Sequence, residues 1–248
     1  MKNKYVLAKE ASELRRHLGY DEYSRVDVFN LINKIEHLTL VFYPMGGRIS
    51  GMCLKGSGDV LIAINSSMTH GRQRFSMAHE LYHYYYDDMT TMICAYNINE
   101  SSPVERNANV FASFFLAPPA ALSTSIKDIK KAGSKLSLAD IVKLEQYFGL
   151  SRQAMLIRLV DEDELSLEDS TSMRSNIISQ ALLLGYDDSL YRPQPEEKAR
   201  MTYGRYIKRA EELLDRGLIS DGKYEELLLE AFRPDLVYGF EEGCELID

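Results

Sequence analysis

Residues 79–83 read His79-Glu80-Leu81-Tyr82-His83. On an α-helix, positions i and i+4 stand one turn apart on the same face, so both imidazoles reach one point in space. Glu80 follows the first imidazole and can point into the same site. Such a set suits a divalent metal and a water, with Glu80 placed to take the water's proton. A zinc site that does chemistry uses three protein ligands and keeps one position open, so two histidines are not enough. In Glu105-Arg106-Asn107-Ala108-Asn109 the i, i+4 spacing recurs. Glu105 can supply the third ligand. Asn109 can accept the spare N–H of a ligating histidine, the bond that fixes its tautomer. The alternative is two unrelated histidines one turn apart. With 5 histidines in 248 residues, the pattern arises by chance on the order of once per hundred such chains.

Elements able to position these groups surround them. Phe75, Ala78, Leu81 and Tyr82 form an apolar stripe that predicts a helix from Gln73 to about Tyr85. Pro103 suits the first turn of a second helix over Val104–Leu116, stopped by Pro118-Pro119. The gap of 22 residues between His83 and Glu105 accommodates a loop, Asn97 to Pro103, and a return helix packed beside the first. Val104, Ala108, Phe111, Ala112 and Phe115 would bury its opposite face. Upstream, Leu38–Tyr43, Ile49–Leu54 and Val60–Ile64 are short β-rich runs separated by Pro44, Gly46-Gly47 and Gly56-Ser57-Gly58-Asp59, which predicts a three-stranded antiparallel meander. Residues 8–18 and 26–35 read as helices, as do 138–148 and 151–160, joined at Gly149. Asp161–Ser172 reads as a linker. Met201–Arg216 and Asp221–Phe232 read as two helices of a tail. The expected fold is α+β, with a core over residues 1–165 and a small helical region over 166–248.

Composition bounds the partners. The chain carries 29 basic and 37 acidic residues, a net charge of −8, which disfavours a whole-surface nucleic-acid binder. No run of 18 apolar residues predicts a membrane span. Charges at Lys9, Glu10, Glu13, Arg15 and Arg16 interrupt any signal-peptide core. Cys53, Cys94 and Cys244 form neither a disulfide framework nor a CxxC zinc pair, and read as bystander thiols in a reducing cytoplasm. The helix pair at 138–160 has the outline of a helix-turn-helix, with Arg152, Gln153 and Arg158 on its second helix. The run Asp161-Glu162-Asp163-Glu164 beside it would repel phosphate, so packed helices are expected and direct DNA binding is not. Residues 196–209 read as a solvated face.

The stretch Arg74-Phe75-Ser76-Met77-Ala78-His79-Glu80-Leu81-Tyr82-His83 resembles the RFTLAHELGH signature of the ImmA/IrrE family of zinc metallopeptidases. Glu105 to Pro118 resembles that family's second signature, E-x-x-A-N-x-F-A followed by proline. The resemblance covers roughly residues 20–165. It implies a zincin-like fold, His79, His83 and Glu105 as zinc ligands and Glu80 as catalytic base, with Asn109 at the family's Asn/Asp position. The chain departs from the pattern at Tyr82, where the family often has glycine, and at Tyr84-Tyr85-Tyr86-Asp87-Asp88, where a histidine often follows. His70 and the tyrosines near the motif are weak candidates for stabilising an oxyanion.

The activity implied is a zinc-dependent endopeptidase with a narrow protein substrate: a helix-turn-helix repressor encoded nearby, cut to release transcription in a mobile element, prophage or stress response. Two other roles are compatible with the same residues. One is a regulatory protein that sequesters a repressor or touches DNA without cutting. The other is the toxin half of a two-gene module. Two histidines and a carboxylate also suit manganese or iron.

Overall fold

The three apolar runs fold as strands where the pattern marks them: β1 Leu38–Tyr43, β2 Ile49–Lys55 and β3 Val60–Asn65. The computed structural model describes residues 2–47, 49–88, 91–95, 102–130 and 134–239. Most of the Asn97–Pro103 loop, and Cys244, lie outside these residues.

The strands do not form a three-stranded antiparallel meander. The sheet has five strands in the order β4-β2-β3-β1-β5, with β4 Thr91–Ala95 and β5 Met201–Gly204 at its edges. β1 and β3 run parallel, Leu38 opposite Val60, while β2 is antiparallel to β3 and β4. The β1–β2 connection therefore crosses the end of β3 instead of closing a hairpin. The buried Asn65 side chain holds it there: Nδ2 donates to the Met45 and Ile49 carbonyls, and Oδ1 accepts from the Met45 amide. The near-continuous apolar sequences of β1 and β3 suit central strands covered on both faces.

Helix α1 (Lys4–His17) packs on α3 (Pro103–Leu116), and α3 packs on α2 (His70–Tyr86), which lies across β2 and β3. Ser102 starts α3, its hydroxyl accepting from the Glu105 amide, with Pro103 in the first turn. These elements share one core containing Ile62, Ile64, Leu81, Tyr82, Phe111 and Phe115. α5 (Leu138–Phe148) begins at a Ser137/Asp140 capping box and ends at Gly149, whose φ of 66° is the left-handed stop that glycine makes cheap. α6 (Arg152–Asp161) follows directly.

Three expected elements differ. The segment 26–35 holds only a 3-10 turn at Asn30–Asn33. Its apolar residues are still buried, but the neighbouring carbonyls are used by arginines: Arg15 donates to Asp21 and Ser24, and Arg74 to Val26. The expected linker contains α7 (Leu167–Ser172) and buries Leu165 and Ser170. Residues 201–204 are strand, paired with β1 as Leu40 opposite Tyr203, and the helix Arg205–Asp215 begins only after them. The C-terminal region is thus mainly helical but attaches to the sheet three strands away from β2.

No single described helix is long and apolar enough to cross a membrane. The bent pair Pro103–Leu116 and Pro119–Ile129 passes such a test together, but its apolar residues belong to the core.

Candidate metal centre

Arg74 and Gln73 fix the position of α2. The Arg74 guanidinium is buried and donates to the Gly149 and Val26 carbonyls, tying α2 to the α5–α6 turn. Burial, aided by the charge of Arg25, lowers its pKa to about 10. The Gln73 amide donates to the Ser66 and Met68 carbonyls at the end of β3. Two turns further along, His79 and His83 leave α2 on the same face and meet Glu105 of α3.

The two Nε2 atoms are 3.1 Å apart, and each lies 3.3 Å from an oxygen of the Glu105 carboxylate. The opposite ring nitrogens are also engaged. His79 Nδ1 is 3.0 Å from Asn109 Oδ1, and His83 Nδ1 is 3.0 Å from Asp87 Oδ2. An amide oxygen and a carboxylate only accept, so both Nδ1 atoms carry the hydrogen and donate. Both Nε2 atoms are then left with lone pairs, pointed at each other and at a carboxylate. A single proton satisfies one such contact, whereas a cation satisfies all of them. The spacing fits: donors about 2.0–2.1 Å from a tetrahedral zinc stand roughly 3.3 Å apart.

Burial disfavours charge on Glu105, but its contacts with His79 and His83 outweigh it and hold the carboxyl well below the usual range. Burial likewise opposes charge on His83, and Glu105, Glu80 and Asp87 together raise its pKa.

Glu80 is fully buried and turned toward the sheet. Its carboxylate lies against the α-carbon of Gly51 on β2, where a Cβ would come within 2.5 Å of Oε1. Asp87 terminates α2, and Lys55 of β2 donates to its carbonyl. Tyr82 sits in the core against Phe111 and Tyr86. His70 stands nine residues before His79, with its ring edge-on to Phe29. Cys53 is buried on β2, and burial, reinforced by the charge of Glu80, pushes its thiol up to about 12.

Residues 48–160 match the model of the IrrE N-terminal-like domain, Peptidase_M78. These residues form a domain of the ImmA/IrrE family. No curated protein matches the chain. The ImmA/IrrE domain begins at β2, so β1 and β5 complete its sheet from outside the matched residues. It ends within α6, so it includes the α5–α6 pair expected to pack. In that pair Arg152 is 1% exposed and Arg158 is 3% exposed. Arg152 makes a bidentate contact with buried Glu145 at 2.7 and 2.9 Å. Arginines so enclosed cannot reach a phosphate backbone. The structure thus brings together His79, His83, Glu105 and Asn109, with Glu80 beside them. Asp87 and Gly51 were not anticipated. Asp87 had a local signal, four residues after His83, whereas Gly51 had none.

Proposed function

We propose that the chain is a zinc-dependent endopeptidase in which His79, His83 and Glu105 hold the metal and Glu80 is the general base. A metallopeptidase-type function follows from the family. The observation that carries the finer reading is the meeting of lone pairs from two imidazoles and one carboxylate beside a buried glutamate that is not needed to complete that set. A purely structural site has no use for Glu80.

A divalent ion held there lowers the pKa of a water toward neutrality and polarises a peptide carbonyl. The chain's own residues do the rest. Asn109 and Asp87 hold the imidazoles in the tautomer that presents Nε2. The Glu80 carboxylate accepts a proton from the attacking water and returns it to the leaving amine. Gly51 lets that carboxylate sit against the sheet. Among the described residues β4 is an edge strand beside β2. An extended substrate could add to it through backbone hydrogen bonds.

The favoured substrate is a helix-turn-helix repressor encoded beside this chain. Its cleavage would make the protein an anti-repressor of a mobile element or stress response, acting in the cytoplasm. That choice rests on the family resemblance. Residues 1–165 would form the peptidase unit, and 166–248 an appended region that docks the repressor. Manganese or iron in place of zinc would leave these roles unchanged.

The test begins with elemental mass spectrometry of the purified protein. About one zinc per chain in wild type and little in His79→Ala is expected. Glu80→Gln should keep the zinc and lose cleavage of the neighbouring repressor. A zinc-loaded Glu80→Gln protein that cuts at the wild-type rate would sink the assignment of the base. Repressor release without cleavage would favour sequestration.

A further inference from the structure

The groove between α2 and α3 continues past the metal centre. One turn before His79 on α2 stands Phe75, and one turn after Asn109 on α3 stands Ser113. Beside them, closed on the far side by α6, lies a cavity of about 350 Å³. Asn109 belongs to both places. Its Oδ1 accepts from His79 Nδ1, and the residue forms part of the cavity wall. The apolar wall is made by Phe75, Val110, Ala154 and Ile157.

Charge does not select the occupant, because the cationic groups on the lining are already engaged. Lys4 pairs with Asp161 at 3.5 Å, and Arg158 Nε donates to Glu162 at 2.8 Å. Arg72 lies over the Phe75 ring, and Arg106 also has a partner. A charged guest would give up its water and find every opposite charge taken, which is costly. An uncharged apolar guest meets no such cost and covers exposed carbon. Ile157, for one, lines the cavity and is 39% exposed.

Size and place narrow the choice. An apolar cavity of about 150 Å³ takes a benzene ring, so this one accepts the largest apolar side chains. One helical turn is about 5.4 Å, and successive residues of an extended chain stand about 3.3 Å apart. A side chain entering one turn from His79 therefore belongs to a residue within about two positions of a bond held at the metal.

We propose that this cavity is a specificity pocket that receives a large, uncharged apolar side chain of the protein substrate, leucine or larger, close to the cleaved bond. The inference rests on the reading of the metal centre as a peptidase. It gives α6, unable to read DNA through its buried arginines, a part in choosing the bond that is cut.

The zinc-loaded full chain is incubated with a library of synthetic peptides of mixed sequence, and the cleaved bonds are read by mass spectrometry. Leucine, methionine or an aromatic residue should recur at one position within about two residues of the cut. Replacing that residue by alanine should lower kcat/KM by about 10–100-fold. Ala154→Leu fills the cavity from α6 without altering a charge, and should shrink that ratio by about tenfold or more. Ile157→Glu puts a carboxylate into the wall at a residue exposed enough to tolerate it, and should turn the preference from apolar residues to lysine or arginine. Metal content and thermal unfolding are measured on the same preparations. If Ala154→Leu fails to fold, Ile157→Glu still decides. No cleavage by the zinc-loaded wild type would overturn the peptidase reading, and the proposal with it. Cleavage without an apolar preference near the cut, or with one that neither folded variant changes, would overturn the proposal alone.

Discussion

Replacing Gly51 by alanine adds one methyl group, and that group lands on the proposed base. Its Cβ would come within 2.5 Å of Glu80 Oε1 and within 3.2 Å of Cγ and Cδ. Ordinary contact begins near 3.4 Å, so the oxygen must retreat by about 0.9 Å. Glu80 is fully buried on a helix clamped at Arg74, so its carboxylate cannot retreat into solvent. A misplacement of about 1 Å at a reacting group costs roughly 100-fold in rate, or about 2.7 kcal/mol of transition-state stabilisation. Stability should change little. Alanine is favoured over glycine in a strand by about 0.5–1 kcal/mol, which offsets part of the strain. The assay is kcat/KM on a peptide that wild type cleaves, measured with metal content and thermal unfolding on the same preparation. Gly51→Ala should hold its zinc, melt near wild type and lose about 100-fold in kcat/KM. Glu80→Asp shortens the base by one methylene, so in the double variant the two losses should be less than additive. A zinc-loaded Gly51→Ala enzyme with wild-type kcat/KM would refute the reasoning, because Glu80 would then not need the place the glycine leaves open.

Other expectations concern metal retention, the core and pH. Asn109→Ala and Asp87→Ala each remove the acceptor that orients one histidine, and each should weaken zinc binding by about 10–100-fold in chelator competition. Unchanged affinity in both would show that the imidazoles are held by packing alone. Glu145→Gln leaves Arg152 buried without its carboxylate and should cost about 3–5 kcal/mol in urea unfolding. A loss under about 1 kcal/mol would mean that water or another acceptor reaches the guanidinium. Burial, with the charges of Arg74 and Arg25, lowers the His70 pKa from 6.5 to about 4. The folded state therefore binds the proton less well than the unfolded chain. Its contribution to stability is present above pH 6.5 and is lost as pH falls toward 4. His70 is partly exposed, so the loss should be about 1–2 kcal/mol, below the limit of about 1.4 per pH unit. Thermal melts at both ends of that window should show a smaller difference for His70→Gln than for wild type.

The spacing of His79, Glu80 and His83, and of Glu105 and Asn109, determined most of the candidate site. Each set lies within one turn of a helix whose apolar stripe is strong, so local geometry alone puts its members on one face. The positions of β1, β2 and β3 were legible for a similar reason, since short β-rich runs bounded by glycine and proline mark their own ends, whereas β4 carried no such mark and becomes a strand by pairing with β2. What sits beside what was decided by contacts distant in sequence. β3 lies between β1 and β2 because the Asn65 side chain carries the β1–β2 connection across its end. β5 has only four residues, too few to show a period, and becomes a strand by pairing with β1. The segment 26–35 has helical spacing, yet nearby carbonyls serve Arg15 and Arg74 instead of a helix. Arg152 and Arg158 carry no local sign of burial, because an arginine in isolation belongs in water. The fold buries them by supplying Glu145, Glu162 and backbone carbonyls that no local pattern reveals. Gly51 shows the same limit at the site itself. Nothing in its neighbourhood along the chain marks it, and only the approach of α2 to β2 makes the missing side chain matter.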